Sequence, residues 1–231
     1  MRLNRFYIKF SPTEKNLIIE DDNVVNQLRN VLRLEIGAAI QIFNGTGSEA
    51  LGVVESIEKK KVVIRLDDVF DSKPMPENRV ILYCAILKKE NFELVTQKAT
   101  EIGVAEIVPV ITERTVKLGL NMDRLNKIIV EACEQSGRGY LTKISEPIEF
   151  EKSLEQAQGN DANLFFDFSK TKIAGKKISG QIGLFVGPEG GWSEGEVTLA
   201  KKAGCKIVSL GENVLRAETA AIVGSYLAVN Q

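Results

Sequence analysis

The sequence of 231 residues contains no histidine. Ser-His-Asp and Cys-His catalytic arrangements are therefore excluded, because each of them uses an imidazole as the base. Zinc sites with histidine ligands are excluded for the same reason. Acid–base chemistry near neutral pH must use carboxylate, amine, thiol or phenol groups, or must need little proton transfer.

Cysteine is scarce, and Cys84, Cys133 and Cys205 lie far apart in the sequence. An odd number of scattered cysteines in a cytosolic chain usually serve as small, buried hydrophobic residues. Three dispersed cysteines also make a poor metal site. The sequence therefore predicts no bound metal.

Long apolar runs are missing as well. No stretch approaches the roughly 18 residues that cross a bilayer. The first residues, MRLNRFYIKF, lack the apolar segment of a signal peptide. We therefore expect a cytoplasmic protein that does not associate with membranes. The formal net charge of −1 neither indicates nor excludes a nucleic-acid partner, because a local basic surface is what matters.

Two kinds of pattern divide the chain. Residues 1–72 are mainly short β-branched or aromatic runs, with an Asn-Gly turn signal at 44–47 and one helix-like stretch at 24–34. After a proline-containing linker at 71–79, strand-like runs alternate with amphipathic helical runs. That alternation is typical of an α/β domain with a mainly parallel sheet. We predict a small β-barrel at 1–72 and an α/β domain at 73–231.

Glycines cluster directly after the predicted strand QIGLFV, in the segment GPEGGWSEGE at 187–196. Ligands of open α/β sheets lie beyond the carboxyl ends of the strands. The glycine spacing matches neither the P-loop nor the dinucleotide-binding pattern, and Glu189 would repel a pyrophosphate at this turn. We expect a ligand without phosphate that offers donors or positive charge, and S-adenosylmethionine (SAM) has these properties.

The residues beside this turn have local structural roles. Ser193 and Glu196 have the spacing of a capping box, so Glu194 and Glu196 are expected to serve the start of a helix. Trp192 is expected to pack against neighbouring side chains rather than to form a surface on which a ligand stacks. Glu189 has no comparable local role in the sequence, so a binding or catalytic role and a turn-forming role both remain open.

A second candidate loop is SLGENVLRAET at 209–219, where Asn213 is expected to cap the last helix. Arg216 and Glu218 are the charged residues between Val214 and the end of the sequence. An arginine in the first helical turn opposes the helix dipole. This misplaced charge favours a functional role for Arg216 over a simple ion pair.

LFVGPEGGWSEGE followed by LGENVLRAETAAI closely resembles the two C-terminal motifs of the SPOUT-class ribosomal RNA small-subunit methyltransferase E family. NQLRNVLRLEIGAAIQIFNGTG is similar to the family's N-terminal domain, and EACEQSGR to a segment near its dimer interface. QKATEIGVAEIVPVITERTV is similar to the start of its catalytic domain. Two departures concern the RNA contacts: Asn26, Gln27 and Asn30 occupy a region where the family commonly has a histidine, and the segment before EACEQSGR is shorter and lacks a tryptophan.

The resemblance implies methylation of N3 of a uridine in 16S ribosomal RNA, with SAM as the cofactor and the small ribosomal subunit as the setting. It also implies a PUA-like RNA-binding barrel, an α/β domain with a deep trefoil knot, and a homodimer with cofactor sites near the subunit interface. The alternatives are a SPOUT methyltransferase for transfer RNA or another RNA position, a small-molecule enzyme, and a non-catalytic RNA-binding module.

Arg216 and Glu189 are the predicted catalytic residues. Arg216 either donates to the imide oxygens of uracil or holds a phosphate beside the base. Glu189 either accepts the N3 proton or positions the cofactor or the base. The predicted SAM-binding residues are Leu184, Val186, Gly187, Pro188, Gly190, Leu210, Gly211, Asn213, Leu215, Glu218 and Thr219. The predicted RNA-binding residues are Arg5, Arg29, Arg33, Lys88 and Arg138.

Overall fold

The structure, a computed structural model, describes residues 3–115, 119–167 and 179–230. Its residue contacts divide the chain into two compact units. The first unit is Met1–Pro74 together with Cys133–Leu141, and the second is Met75–Ala132 together with Thr142–Gln231. The assignment of 133–141 to the first unit differs from the predicted division at residue 72, because those residues lie inside the α/β part of the sequence.

The first unit is built on a five-stranded sheet. Its elements are β1 (Arg5–Tyr7), β2 (Asn16–Ile19), α1 (Asp22–Asn26), a π-helical turn (Gln27–Val31), β3 (Ala39–Phe43), β4 (Ser48–Ile57) and β5 (Val62–Asp71). The strand order is β1-β3-β4-β5-β2, with β1 parallel to β3 and the other neighbours antiparallel. Two register shifts between β4 and β5 bend the sheet around one apolar core.

The local signals of the first unit are confirmed, with one change at the helix. Asn44 Oδ1 accepts the backbone N–H groups of Thr46 and Ser48 at 2.9 and 3.0 Å, which forms the predicted turn. The predicted helix at 24–34 is shorter, because α1 passes into the π-helical turn and ends there. Leu32 N–H donates to the carbonyl of Gln27, five residues earlier. Apolar spacing alone does not distinguish that pattern from a regular helix.

The second unit confirms the α/β fold with a mainly parallel sheet. Its elements are β6 (Arg79–Ala85), α2 (Lys89–Ile102), β7 (Glu106–Ile111), α3 (Met122–Ser136), β8 (Lys143–Ile144), β9 (Ile148–Glu149), α4 (Phe150–Gln156), a 3₁₀ turn (Ala157–Gly159), β10 (Ala162–Phe166), β11 (Gln181–Val186), α5 (Glu194–Lys202), β12 (Lys206–Val208) and α6 (Ala217–Val229). Residues 133–136 of α3 are counted with the first unit. The order β12-β10-β11-β6-β7-β8, with β9 also beside β7, is parallel at every described pair.

Both faces of this sheet are buried, which explains why its central strands read as continuous apolar runs. Along β6, Leu82 belongs to one core and Tyr83 to the other; along β11, Leu184 and Phe185 alternate in the same way. Helices α2 and α6 pack together, and α6 also contacts β6 and β11. Within the three described ranges, no helix combines the length and apolarity needed to cross a bilayer.

Candidate functional site

A cavity of about 730 Å³ opens at the carboxyl edge of the sheet in the second unit. Residues at or shortly after the ends of five neighbouring strands, β12, β10, β11, β6 and β7, line it. This is the edge at which open α/β sheets bind ligands, and the volume lies within the usual range for small-molecule sites.

The segment after β11 forms a tight turn on the rim of this cavity. Gly191 N–H donates to the Pro188 carbonyl at 2.8 Å, so Glu189 and Gly190 occupy the two corner positions. Gly191 has φ 70°, in the left-handed region that favours glycine. We call Pro188–Gly191 the rim turn.

Glu189 has a structural role that the sequence did not reveal. Its Oε1 accepts the backbone N–H of Lys88 at 3.1 Å. Lys88 is the N-cap residue of α2, and its own side chain provides no cap. The Glu189 carboxylate therefore satisfies a donor at a helix start, where negative charge is favoured. Its Oε2 makes no hydrogen bond to the described part of the chain.

Gly187 is required by the packing of Trp192. A Cβ atom at position 187 would lie 2.9 Å from the indole ring. Trp192 is buried, its Nε1 donates to the Phe166 carbonyl at 3.0 Å, and its ring lies 4.4 Å from that of Phe165 between centroids. The packing role expected for Trp192 is confirmed. The need for glycine at position 187 comes from this ring.

The predicted capping box at the start of α5 is confirmed. Ser193 Oγ accepts Glu196 N–H at 3.3 Å, and Glu196 Oε2 accepts Ser193 N–H at 2.8 Å. The other oxygen, Oε1, accepts the backbone N–H of Glu113 at 3.0 Å. Glu196 therefore ties the start of α5 to the loop after β7.

Arg114, in that loop, is a cavity residue that the sequence analysis missed. Its Nη1 donates to the Gly190 carbonyl at 2.7 Å. The available signal was its position just past the strand-like run EIVPVI, at the edge where ligands bind. Asp167, which follows β10 and also lines the cavity, was missed although it occupies an equivalent position.

The second loop differs from the prediction at the helix start. Asn213 is not the N-cap: α6 begins at Ala217, and Arg216 occupies the cap position in an extended conformation, φ −62° and ψ 153°. Residues 213–216 continue as a loop along the cavity, so the helix starts three residues later than a cap at Asn213 would allow. Arg216 therefore precedes the helix instead of opposing its dipole from the first turn. Its side chain is exposed and has no hydrogen bond or ion pair with the residues that the structure describes.

Most of the predicted catalytic and SAM-binding residues lie together. Those that line the cavity are Val186, Gly187, Pro188, Glu189, Gly190, Leu210, Asn213, Leu215, Arg216 and Glu218. Leu184, Gly211 and Thr219 are outside its lining. Leu184 is fully buried in the core, whereas Gly211 and Thr219 are exposed.

Arg5, predicted to contact RNA, is a structural residue of the first unit. Its side chain is 7% exposed and is 3.1 Å from Glu49 in an ion pair. It also donates to the carbonyls of Cys133 and Arg138 at 2.7 and 2.9 Å and lies over the Phe43 ring. These contacts hold the guanidinium inside the first unit, which argues against the expected contact of Arg5 with RNA.

The other predicted RNA-binding residues are placed differently. Arg29 and Arg33 are exposed, and Arg33 has φ 49°, which is uncommon for a residue with a side chain. Arg138 is half-buried, and burial lowers its pKa below the usual value for arginine, against a smaller opposing effect of Cys133. Lys88 is exposed and lines the cavity.

Cys84, Cys133 and Cys205 are all buried, as expected, and each is present as a thiol. Burial, with a smaller contribution from the Glu189 carboxylate, raises the pKa of the Cys84 thiol to about 12. Cys84 therefore remains protonated near neutral pH and is a poor nucleophile there. Residues 3–115, 119–167 and 179–230 contain no group of three or more Cys, Asp or Glu side chains that could hold a metal ion.

Comparison with known proteins identifies both parts of the sequence. Residues 73–228 match the RNA methyltransferase domain, and residues 21–67 match the RNA methyltransferase PUA domain. The ribosomal RNA small subunit methyltransferase E of Rickettsia conorii is 34% identical over 230 residues, which cover 96% of this chain and 93% of the relative.

Solved structures agree with the sequence comparison. A Legionella pneumophila structure in complex with SAM has a TM-score of 0.91 and 30% identity, covering 99% of this chain and 97% of that one. The ribosomal RNA small subunit methyltransferase E of Neisseria gonorrhoeae, bound to SAM, has a TM-score of 0.90 and 29% identity, covering 98% and 96%. This chain therefore belongs to the ribosomal RNA small subunit methyltransferase E family.

Proposed function

We propose that this protein binds SAM in the cavity of the second unit and methylates N3 of one uridine in 16S ribosomal RNA. The observation that carries the proposal is that the rim turn and the segment 213–218 line one cavity, although the sequence separates them by more than twenty residues. The reaction takes place in the cytoplasm, on RNA of the small ribosomal subunit.

The residues around the cavity fit SAM. Apolar side chains such as Val186, Leu210 and Leu215 suit an adenine ring, while the carboxylates of Asp167 and Glu218 suit ribose hydroxyls and an ammonium group. Glu218 is only 9% exposed. A buried carboxylate is unfavourable without a polar partner, and a bound hydroxyl or ammonium group would supply one. Two similar solved structures hold SAM. When bound, SAM supplies a methyl group activated by its sulfonium.

Arg216 is the residue proposed to act on the target base. Its exposed guanidinium lies at the cavity and is not occupied by other described side chains. Methylation at N3 requires that the uracil nitrogen lose its proton, which leaves negative charge on the imide oxygens. A guanidinium can donate to these oxygens or to a neighbouring phosphate. The single-turnover rate of Arg216→Ala separates the two roles, because loss of a base contact slows the chemical step even at saturating RNA.

Glu189 is proposed to position the rim turn and the bound cofactor. Its Oε1 already accepts the Lys88 amide, and Glu189→Gln retains an oxygen at that place. We therefore expect Glu189→Gln to keep most of the turnover and Glu189→Ala to lose more. A loss of several orders of magnitude in Glu189→Gln would instead identify Glu189 as the acceptor of the N3 proton.

RNA is proposed to contact the first unit around the π-helical turn. Arg29 and Arg33 offer charge there, and the aliphatic side chains of Val31 and Ile36 are 67% and 68% exposed. Charge for phosphates beside an apolar surface for nucleotide faces is the combination that single-stranded RNA requires. At the cavity, Lys88 offers a further phosphate contact. The paired substitution Arg29→Ala and Arg33→Ala should raise the KM for RNA and leave SAM affinity unchanged.

We also propose that the protein is a homodimer. Thr219, Val223 and Tyr226 are exposed along one face of α6, and Tyr226 is 58% exposed. An exposed, largely apolar helix face of this kind supports self-association. Sedimentation equilibrium should give a dimer for the wild type and a shift toward monomer for Tyr226→Glu. A monomeric wild type would refute this part of the proposal.

Methyl transfer provides the direct test. Labelled SAM is incubated with unmodified small ribosomal subunits and, separately, with their naked RNA, and the product is mapped by reverse-transcription arrest. A single stop at one uridine is expected, because N3 methylation blocks Watson–Crick pairing. Label at another position would support SAM as the cofactor but would identify a different target nucleotide. No label in either substrate, together with no SAM binding by calorimetry, would refute the proposal and favour a non-catalytic RNA-binding module.

A further inference from the structure

The rim turn is held from outside by two neighbouring strand ends. Within the turn, Gly191 N–H closes onto the Pro188 carbonyl at 2.8 Å. From the end of β6, the Lys88 amide binds the Glu189 carboxylate at 3.1 Å. From the end of β7, Arg114 Nη1 binds the Gly190 carbonyl at 2.7 Å. Both corner residues of the turn therefore have a fixed external partner.

Arg114 is itself placed by a locked loop. Thr112 and Thr115 close the loop through Thr115 N–H to the Thr112 carbonyl at 3.0 Å and Thr112 N–H to Thr115 Oγ1 at 2.9 Å. Between them, Glu113 N–H donates to the capping residue Glu196 at 3.0 Å. The backbone that carries Arg114 is thus fastened on both sides, which is what a residue needs in order to fix another segment.

The side chain of Arg114 also lies against the glycine that it binds. A Cβ atom at Gly190 would be 3.4 Å from Arg114 Cδ, so the aliphatic part of the arginine packs over the turn while its Nη1 reaches the carbonyl. A hydrogen bond from a cationic donor is stronger than one between neutral groups. Arg114 and Gly190 both line the cavity.

We propose that Arg114 is a positioning residue for the cofactor: by holding the Gly190 carbonyl, it keeps the rim turn in the shape that accepts SAM. The inference rests on the proposed function and adds a residue to it. It assigns to Arg114 an effect on SAM affinity in the absence of RNA. An arginine that only contacted RNA phosphates would have no such effect.

The test is calorimetric titration of SAM into the RNA-free, full-length protein. Arg114→Ala should raise the Kd for SAM about tenfold, or about 1.4 kcal/mol. Arg114→Lys, which keeps a cationic donor, should recover part of this loss. The matched control is Arg124→Ala, because Arg124 belongs to the same unit, is paired with Glu93 and does not line the cavity. Its SAM affinity should equal that of the wild type.

Kinetics separate positioning from a general structural effect. Arg114→Ala should raise the KM for SAM about tenfold and leave kcat at saturating SAM within about twofold, with the KM for RNA unchanged. Thermal unfolding checks that each variant is folded, and Arg114→Gln replaces Arg114→Ala if the latter is not. Unchanged SAM affinity in a folded Arg114 variant overturns the inference and leaves the proposed function intact. A wild type that does not bind SAM overturns both.

Discussion

The contact between Gly187 and Trp192 leads to a quantitative prediction for Gly187→Ala. The added methyl group would lie 2.9 Å from Cε2 and 3.0 Å from Nε1 of the indole ring. Carbon atoms pack best at about 3.5–4.0 Å, so the ring must move. Movement would lengthen the bond from Nε1 to the Phe166 carbonyl and disturb the packing on Phe165.

The expected loss follows from these two effects. Overpacking of a buried site costs about 1–3 kcal/mol, and a weakened hydrogen bond adds up to about 1 kcal/mol. We therefore expect Gly187→Ala to lower the free energy of unfolding by about 2–3 kcal/mol. For a chain of this size the unfolding midpoint should fall by roughly 4–12 °C. Gly190→Ala is the matched control, because its Cβ atom would be no closer than 3.4 Å to a neighbour.

Trp192 is the one tryptophan in the sequence, so its fluorescence reports directly on this contact and on unfolding of the second unit. In urea unfolding, the free energy of unfolding of Gly187→Ala should lie well below that of Gly190→Ala. In a Trp192→Phe background, followed by circular dichroism, the cost of Gly187→Ala should fall by at least about 1 kcal/mol, because the clashing ring atoms are gone. An equal cost in both backgrounds, or equal stability of the two glycine variants, would refute the steric explanation.

Three further predictions concern other parts of the structure. Arg5→Met should destabilise the first unit by about 3–5 kcal/mol in urea unfolding, because Glu49 remains buried without its cation. Arg65→Met breaks two exposed ion pairs, with Glu55 and Asp67, and should cost less than about 1 kcal/mol. Equal costs would contradict the buried role of Arg5. Ser193→Ala removes the cap of α5 and should cost about 1 kcal/mol, and an unchanged urea midpoint would contradict it. Because burial raises the pKa of Cys84 from 9.0 to about 12, the folded protein keeps a proton that the unfolded chain releases. The stability that this provides is fully present below pH 9 and is lost as the pH rises toward 12, so the urea midpoint should fall between pH 8 and pH 10.5 and fall less in Cys84→Ala.

Local signals predicted much of the fold. Gly103 ends α2 in the left-handed conformation, with φ 116°, as expected for a glycine after a helical pattern. The capping box at Ser193 and the turn at Asn44 also involve residues within four positions of each other. Such features depend on neighbouring residues, which the sequence displays directly. The trefoil knot, in contrast, stays a prediction of the resemblance, because local patterns contain no information about threading.

The candidate site was predicted in outline, because two strand-following loops with unusual composition lie at one edge of a parallel sheet. The contacts that support the site were not predicted. Glu189 meets Lys88 and Arg114 meets Gly190 only because the sheet brings β11, β6 and β7 side by side. Asparagine is a residue type that often caps helices, but α6 begins after Arg216 rather than after Asn213. Tertiary packing therefore overrode the local preference of Asn213 for the cap position.

The position of β6 in the sheet has a consequence for synthesis of the chain. Strand β6 lies between β7, which follows it closely in sequence, and β11, whose Ile182 pairs with Val80. That partner is translated roughly 100 residues later, which at about 5–20 residues per second leaves one edge of the strand open for roughly 5–20 s. Pairing of strands so distant in sequence is also intrinsically slow. The nascent chain therefore exposes an apolar strand edge on the ribosome for seconds. We expect the yield of folded protein to depend on chaperones and on translation rate. This dependence should be stronger than for a protein whose central strands are neighbours in sequence.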